Sequence, residues 1–208
     1  MLKKLTEEQQ QKILETAIDE FGRKGLERAA VIDIARKAGV SSGVIYKYYR
    51  DKDDLFKACL ERSLKVLDES LSSAVRVGDS FESAAENLIR TCIDFSKEHP
   101  SYIRMYHAIT SDEDEKTAGL YAPMIENVTA RTYTRLIAQG KKEGKIRKDA
   151  DPAASAFLFD NLLMMLHFSY GCSYYKERLK VFCGEGPDRD EKIADQMMRF
   201  IRAALLER

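Results

Sequence analysis

Apolar residues recur at helical spacing along nearly the whole chain. Ile13, Ala17, Ile18 and Phe21 share one side of a first helix, which is entered through Thr6-Glu7-Glu8-Gln9, a capping box. That helix is predicted to stop near Gly22–Gly25. Val31, Ile34, Ala35 and Ala38 form the inner face of a short second helix closed by Gly39, and Ser41 then caps a third that runs to about Tyr49. Asp51 caps a fourth helix, with Leu55, Phe56, Cys59, Leu60, Leu64 and Leu67 as its buried stripe, fading near Val77-Gly78-Asp79.

The same spacing continues. Ser80 caps a fifth helix carrying Phe81, Ala84, Leu88, Cys92 and Phe95. Pro100 interrupts it, and a short helix with Tyr102, Met105 and Tyr106 follows. The acidic run 111–115 leads into a long helix through Met124, Val128, Tyr133 and Leu136, which Pro123 either opens or kinks. Asp151-Pro152 is a strong start signal for a helix over 153–175 that is apolar nearly all round and must be covered on more than one face. A last helix carries Ile193, Met197, Phe200, Ile201 and Leu205. No strand pattern and no internal repeat is present. The reading is an all-α fold of about nine helices: a helix-turn-helix domain over 1–51, then a larger helical ligand-binding and dimerisation domain over 52–208.

Composition agrees with this and excludes other classes. The chain has 208 residues, 44% of them hydrophobic, with four prolines and eleven glycines, too few for a turn-rich β protein. Its longest uninterrupted apolar run, Leu162–Leu166, is far short of a membrane span. The first residues carry lysines with no apolar stretch after them, which is not the pattern of a secretory signal. Cys59, Cys92, Cys172 and Cys183 form no CxxC pair and read as reduced thiols, so the expected location is the cytoplasm. With His99, His107 and His167 the only histidines, no metal-ligand spacing appears. No nucleophile elbow or phosphate loop is present either, so neither an enzyme nor a cofactor is expected.

Charge changes the picture locally. Lys+Arg and Asp+Glu are both 34, yet residues 23–52 hold eight basic residues against three acidic ones. That basic stretch coincides with the helix, tight turn, helix unit Val31–Tyr49, the arrangement of a DNA-reading helix-turn-helix. On the second helix of the unit, Ile45 and Tyr49 point inward, while Gly43, Lys47 and Arg50 lie opposite, flanked by Val44 and Tyr46, with Ser42 and Tyr48 nearer the rim. Hydroxyls, ammonium groups and helix N-terminal amides suit phosphates. Lys47 has the length and charge to reach guanine O6 and N7, and Val44 suits a thymine methyl.

The stretch IDIARKAGVSSGVIYKYYRDKDDLF, residues 32–56, resembles the N-terminal domain of the tetracycline-repressor (TetR) family, and the match extends back through ILETAIDEFGRKGLERAAV, residues 13–31. The resemblance covers about a fifth of the chain. It implies a helical homodimer that binds double-stranded operator DNA and releases it when a small molecule binds. By motif position, Tyr46, Tyr48 and Lys52 resemble phosphate-contacting positions, and Ser42, Gly43, Val44 and Lys47 resemble groove-facing ones. The chain departs from the family pattern where Ala29 and Ala30 replace the usual Thr or Ser at the start of the second helix, and Ile32 replaces a frequent polar residue; affinity is then expected to lean on Arg28, Lys47 and Lys52.

Beyond the motif, aromatic and Met residues interleaved with isolated polar groups suggest an effector pocket for a mostly apolar molecule: Phe95, Tyr106, His107, Tyr121, Met124, Phe157, Asn161, Met164, Met165 and Phe168. Leu162, Leu166, Met197, Phe200, Ile201 and Leu205 are the candidates for a dimer interface. A dimer is needed because one short helix contacts few base pairs, whereas two held roughly 34–36 Å apart read a palindrome. The competing reading is a protein-interaction module of the same fold that does not itself read DNA, favoured by Ala29 and Ala30.

Overall fold

Capping residues place the helices much as their spacing predicts. In the computed structural model, which describes residues 5–76 and 78–207, there are ten helices among the described residues: α1 (Glu7–Arg28), α2 (Val31–Ala38), α3 (Ser42–Tyr48), α4 (Lys52–Ala74), α5 (Phe81–Glu98), α6 (Pro100–Thr110), α7 (Glu115–Lys142), α8 (Pro152–Gly171), α9 (Ser173–Cys183) and α10 (Arg189–Leu205). Thr6 and Gln9 form the full capping box of α1. Ser80, Asp51 and Asp151 each accept a backbone amide three residues on, and Pro152 stands at the first position of α8. The described residues contain no β-strand; one isolated bridge pairs Ile146 with Leu206. No described helix is long and apolar enough to cross a membrane.

Three local outcomes depart from the periodicity. The apolar run expected as one helix over 153–175 breaks at Cys172, whose extended backbone (φ −114°, ψ 136°) separates α8 from α9. Gly171 precedes that break, and glycine is a poor helix former. Of the two places open to Pro123, the start of its helix or a point within it, the residue takes the second and lies inside α7. The fourth helix stops at Ala74, short of the expected 77–79, and Val77 lies outside the described residues. At the end of α1, Gly25 takes a left-handed φ of 74°, where the first helix was expected to stop, and a further turn reaches Arg28.

The chain forms two compact units. The first comprises the part up to Val66 together with Ser101–Ala118; the second comprises Leu67–Pro100 and the part from Gly119 onward. In the first, Ile13, Ile18, Phe21, Ile34, Ile45, Leu55, Phe56 and Cys59 are buried, and the rings of Phe21 and Phe56 meet edge to face at 5.0 Å. α6 packs here, against α1. A Cβ on Gly22 would stand 2.9 Å from the Ser101 carbonyl oxygen, so only glycine permits this approach. Polar ties secure the contact: Tyr102 donates its hydroxyl to Glu15 at 2.6 Å, and the same carboxylate oxygen accepts Arg62 Nε at 2.6 Å from α4.

The second unit has its own core. Leu88, Ile89 and Ile93 of α5, Tyr133 and Ile137 of α7, Phe159 and Leu163 of α8, and Met198 and Ile201 of α10 are buried together. Tyr133 and Phe159 meet edge to face at 5.1 Å.

Candidate nucleic-acid interface

The turn between α2 and α3 is set by one residue. Gly39 adopts φ 78°, ψ 31°, a left-handed conformation that costs a side-chain-bearing residue roughly 1–2 kcal/mol. It donates its amide to Arg36 at 3.3 Å, and Val40 donates to the Ala35 carbonyl at 3.0 Å. These two bonds make a Schellman closure of α2, which turns the chain sharply into α3. Ile45 is buried beneath α3, and Ala35 and Ala38 are buried beneath α2. α2 has no side-chain cap, because Ala30 occupies that position, and Ser41 makes no capping bond to α3.

Packing of Ile45 decides what α3 shows to solvent. Tyr46 is 51% exposed, Lys47 and Gly43 are exposed, and Ser42, Val44 and Tyr48 are half-buried. Tyr49 is half-buried, and burial raises its phenol pKa above the ordinary value. The Tyr48 hydroxyl accepts the Leu5 amide at 2.7 Å, which leaves its own proton to donate. Lys52 Nζ donates to the Glu27 carbonyl at 3.0 Å and so ties the start of α4 to the end of α1. Arg28 donates to the Lys24 carbonyl, one turn back in α1.

Most cations of the basic stretch are already engaged. Glu20, fully buried, pairs with both Lys24 and Lys37. Lys24 also reaches Asp33 at 3.2 Å, and Arg36 pairs with Asp33 at 2.7 Å. Hydrogen bonds from Lys24 and then Lys37 hold the Glu20 carboxyl below the usual carboxylate range, against the opposing effect of burial. Arg50 pairs with Asp51 at 2.9 Å. Lys47, by contrast, has no ion-pair or hydrogen-bond partner among the described residues. The ammonium group on the outer face of α3 is thus available to an external anion. The Glu20–Lys24 spacing of four residues was legible in the sequence, but the bond from Glu20 to Lys37 on another helix was not.

The remaining candidates are divided by the fold. Phe95, Tyr121 and Phe168 are buried and Met124, Asn161 and Met164 half-buried in the second unit, whereas Tyr106 and His107 belong to the first. Phe157 and Met165 are 66% and 37% exposed, so these two do not line an enclosed site within the single chain. The Asn161 amide donates to the Phe157 carbonyl of its own helix at 2.9 Å. Burial lowers the His107 pKa. Of the interface candidates, Leu166 and Ile201 are buried in the core of their own unit, Leu162, Met197 and Leu205 are partly buried against it, and Phe200 is 62% exposed. No described cluster of His, Cys, Asp and Glu has the make-up to hold a metal ion.

Residues 13–59 match the profile described as bacterial regulatory proteins, tetR family. Over 152 residues the chain is 30% identical to the nucleoid occlusion factor SlmA of Haemophilus ducreyi, covering 72% of this chain and 75% of that protein. Among solved structures, a transcriptional regulator of Saccharomonospora viridis in complex with choline superposes with a TM-score of 0.74 at 20% identity, over 98% of this chain and 100% of the other. AibR in complex with isovaleryl coenzyme A and operator DNA superposes with a TM-score of 0.70 at 22% identity, over 93% and 97%.

Proposed function

The chain belongs to the TetR family of helix-turn-helix transcription regulators, and from that membership we propose that it is a repressor which binds a palindromic operator as a homodimer and leaves it when a small effector binds. The observation that carries this reading is the exposed, unpaired Lys47 beside the exposed Tyr46, on a short helix whose position Gly39 and Ile45 fix. Ser42, Gly43, Val44 and Lys47 face the groove; Tyr46, Tyr48, Lys52 and Arg28 grip phosphates. Phe157 and Leu158 of α8 and Phe200 of α10 are exposed in the single chain and support a partner copy on that side, with Leu162, Met197 and Leu205 at its margin.

The effector is taken to be small and mostly apolar. In support, Phe95, Tyr121, Met124, Met164 and Phe168 of the second unit are apolar or aromatic, with Asn161 as a polar group among them in that unit. The choline and isovaleryl coenzyme A held by fold relatives show that this fold accepts unlike ligands, so the apolar character rests on this chain's own residues.

Titrating the protein onto random-sequence duplex at increasing salt tests the DNA reading. Binding that weakens steeply with salt is expected of a module gripping phosphates, whereas no binding at low salt overturns it. The likeness to a nucleoid occlusion factor favours a second reading: a factor that acts along the nucleoid and not at a promoter. Mapping occupancy along the chromosome separates the two. Repression predicts a few promoter sites emptied by an effector, and the second reading predicts dispersed sites that no small molecule clears.

A further inference from the structure

Glu20 occupies an unusual place. It is a carboxylate of α1 with 0% exposure, and it takes two lysines, Lys24 from its own helix and Lys37 from α2. Both lysine side chains remain partly accessible, at 42% and 39%. Lys37 lies two positions before Gly39, and so within a few residues of the start of α3. Asp33 extends the network by taking Lys24 and Arg36. The basic stretch 23–52 therefore has a buried acid, outside its own sequence limits, that turns two of its cations inward.

We infer that Glu20 is a specificity-determining residue: by holding Lys24 and Lys37 it withholds them from phosphate, and leaves contact with DNA to the cations on and beside α3. This rests on the reading of α3 as the DNA-contacting helix. The physical logic is that phosphate contacts add affinity without sequence information, whereas base contacts carry the discrimination. A lysine released next to α3 strengthens binding to every duplex alike, and so narrows the gap between the preferred site and the rest. A buried carboxylate restrains both lysines strongly, because screening by salt is weak there.

Salt titrations on two probes test this: a duplex selected by the wild-type protein from a random pool, and an unselected random duplex. Each phosphate neutralised steepens the slope of log affinity against log salt by roughly 0.9. Glu20→Gln is expected to tighten binding to the random duplex, to steepen the slope by about 1 to 2, and to shrink the preference for the selected duplex. Lys37→Gln, at a partly exposed site that leaves Glu20 its pair with Lys24, is expected to leave the slope unchanged. In the double variant the slope gained by Glu20→Gln falls back by roughly 0.9. A Glu20→Gln protein that binds all duplexes more weakly at unaltered slope overturns the inference and makes Glu20 a helix pin. Lys37→Gln alone, which tests the inference even where Glu20→Gln does not fold, overturns it by making the slope shallower by roughly 0.9, since Lys37 would then already sit on phosphate. Wild-type protein that binds neither probe refutes the DNA reading itself, a result distinct from both.

Discussion

The hydroxyl of Tyr48, in the last turn of α3, accepts a hydrogen bond from the backbone amide of Leu5 at 2.7 Å, joining residues 43 positions apart. The end of the helix proposed to read DNA is thereby tied to the segment that leads into α1. Tyr46, two residues earlier, is 51% exposed. Two tyrosines of one short helix thus differ in task.

Tyr48→Phe is expected to lower stability by about 1 kcal/mol, since a partly buried amide loses its acceptor. Tyr46→Phe leaves stability unchanged. Urea denaturation followed by helix content checks this, and equal midpoints for the two variants would refute the distinction. Both weaken DNA binding across all sequences, as loss of a phosphate donor does.

Lys47→Ala and Lys52→Ala separate reading from gripping. Lys47, unpaired on the outer face of α3, is expected to carry base preference as well as affinity, so its removal flattens the ranking of duplexes in a competition assay. Lys52 is anchored to the Glu27 carbonyl, and its removal weakens all duplexes uniformly, lowers the salt slope by about 1 and loosens the end of α1. An unchanged ranking in Lys47→Ala would remove that residue from the base-reading set.

Gly22→Ala is expected to destabilise the first unit by roughly 1–3 kcal/mol. The added methyl meets the Ser101 carbonyl at 2.9 Å and Met105 N at 3.1 Å, and these are backbone atoms that cannot swing aside. Thermal unfolding measures the loss. Wild-type stability in this variant would show that α6 yields freely from α1.

His167 makes stability depend on pH. The Ser96 hydroxyl lies 2.6 Å from His167 Nδ1 and 2.7 Å from the Cys92 carbonyl, and so joins the ring to α5. Burial lowers the pKa of this ring from 6.5 to about 4. A depressed folded-state value means that the unfolded chain takes up the proton first as pH falls. The stability of the neutral ring is fully present above about pH 6.5 and is lost progressively toward pH 4, by up to about 3 kcal/mol. His167→Gln is expected to flatten that acid limb in denaturation curves recorded across this range; an unaltered limb would assign the loss to other groups.

Helix positions were largely legible in the residues because the signals for them are local. A capping box at Thr6–Gln9, Asp151 followed by Pro152, and apolar residues three and four apart all act within one or two turns. The turn at Gly39 and the inward Ile45 belong to the same class, so the outer face of α3 followed from the order of residues alone. The break at Cys172 did not, since the run on either side of it is uniformly apolar and carries no stop signal stronger than Gly171.

Contacts between distant residues had no local signature. Nothing near Gly22 announces that the backbone of α6 lies against it, and nothing near Glu20 announces Lys37. The basic composition of 23–52 was plain, but which of its cations remain free depended on carboxylates brought alongside by folding. Burial of Leu166 and exposure of Phe157, on one apolar helix, were likewise set by which neighbours α8 meets. Periodicity acts over a helical turn and is written in the chain. Pairing across helices depends on how their surfaces fit once they have formed, and that is where the charge available to a partner is settled.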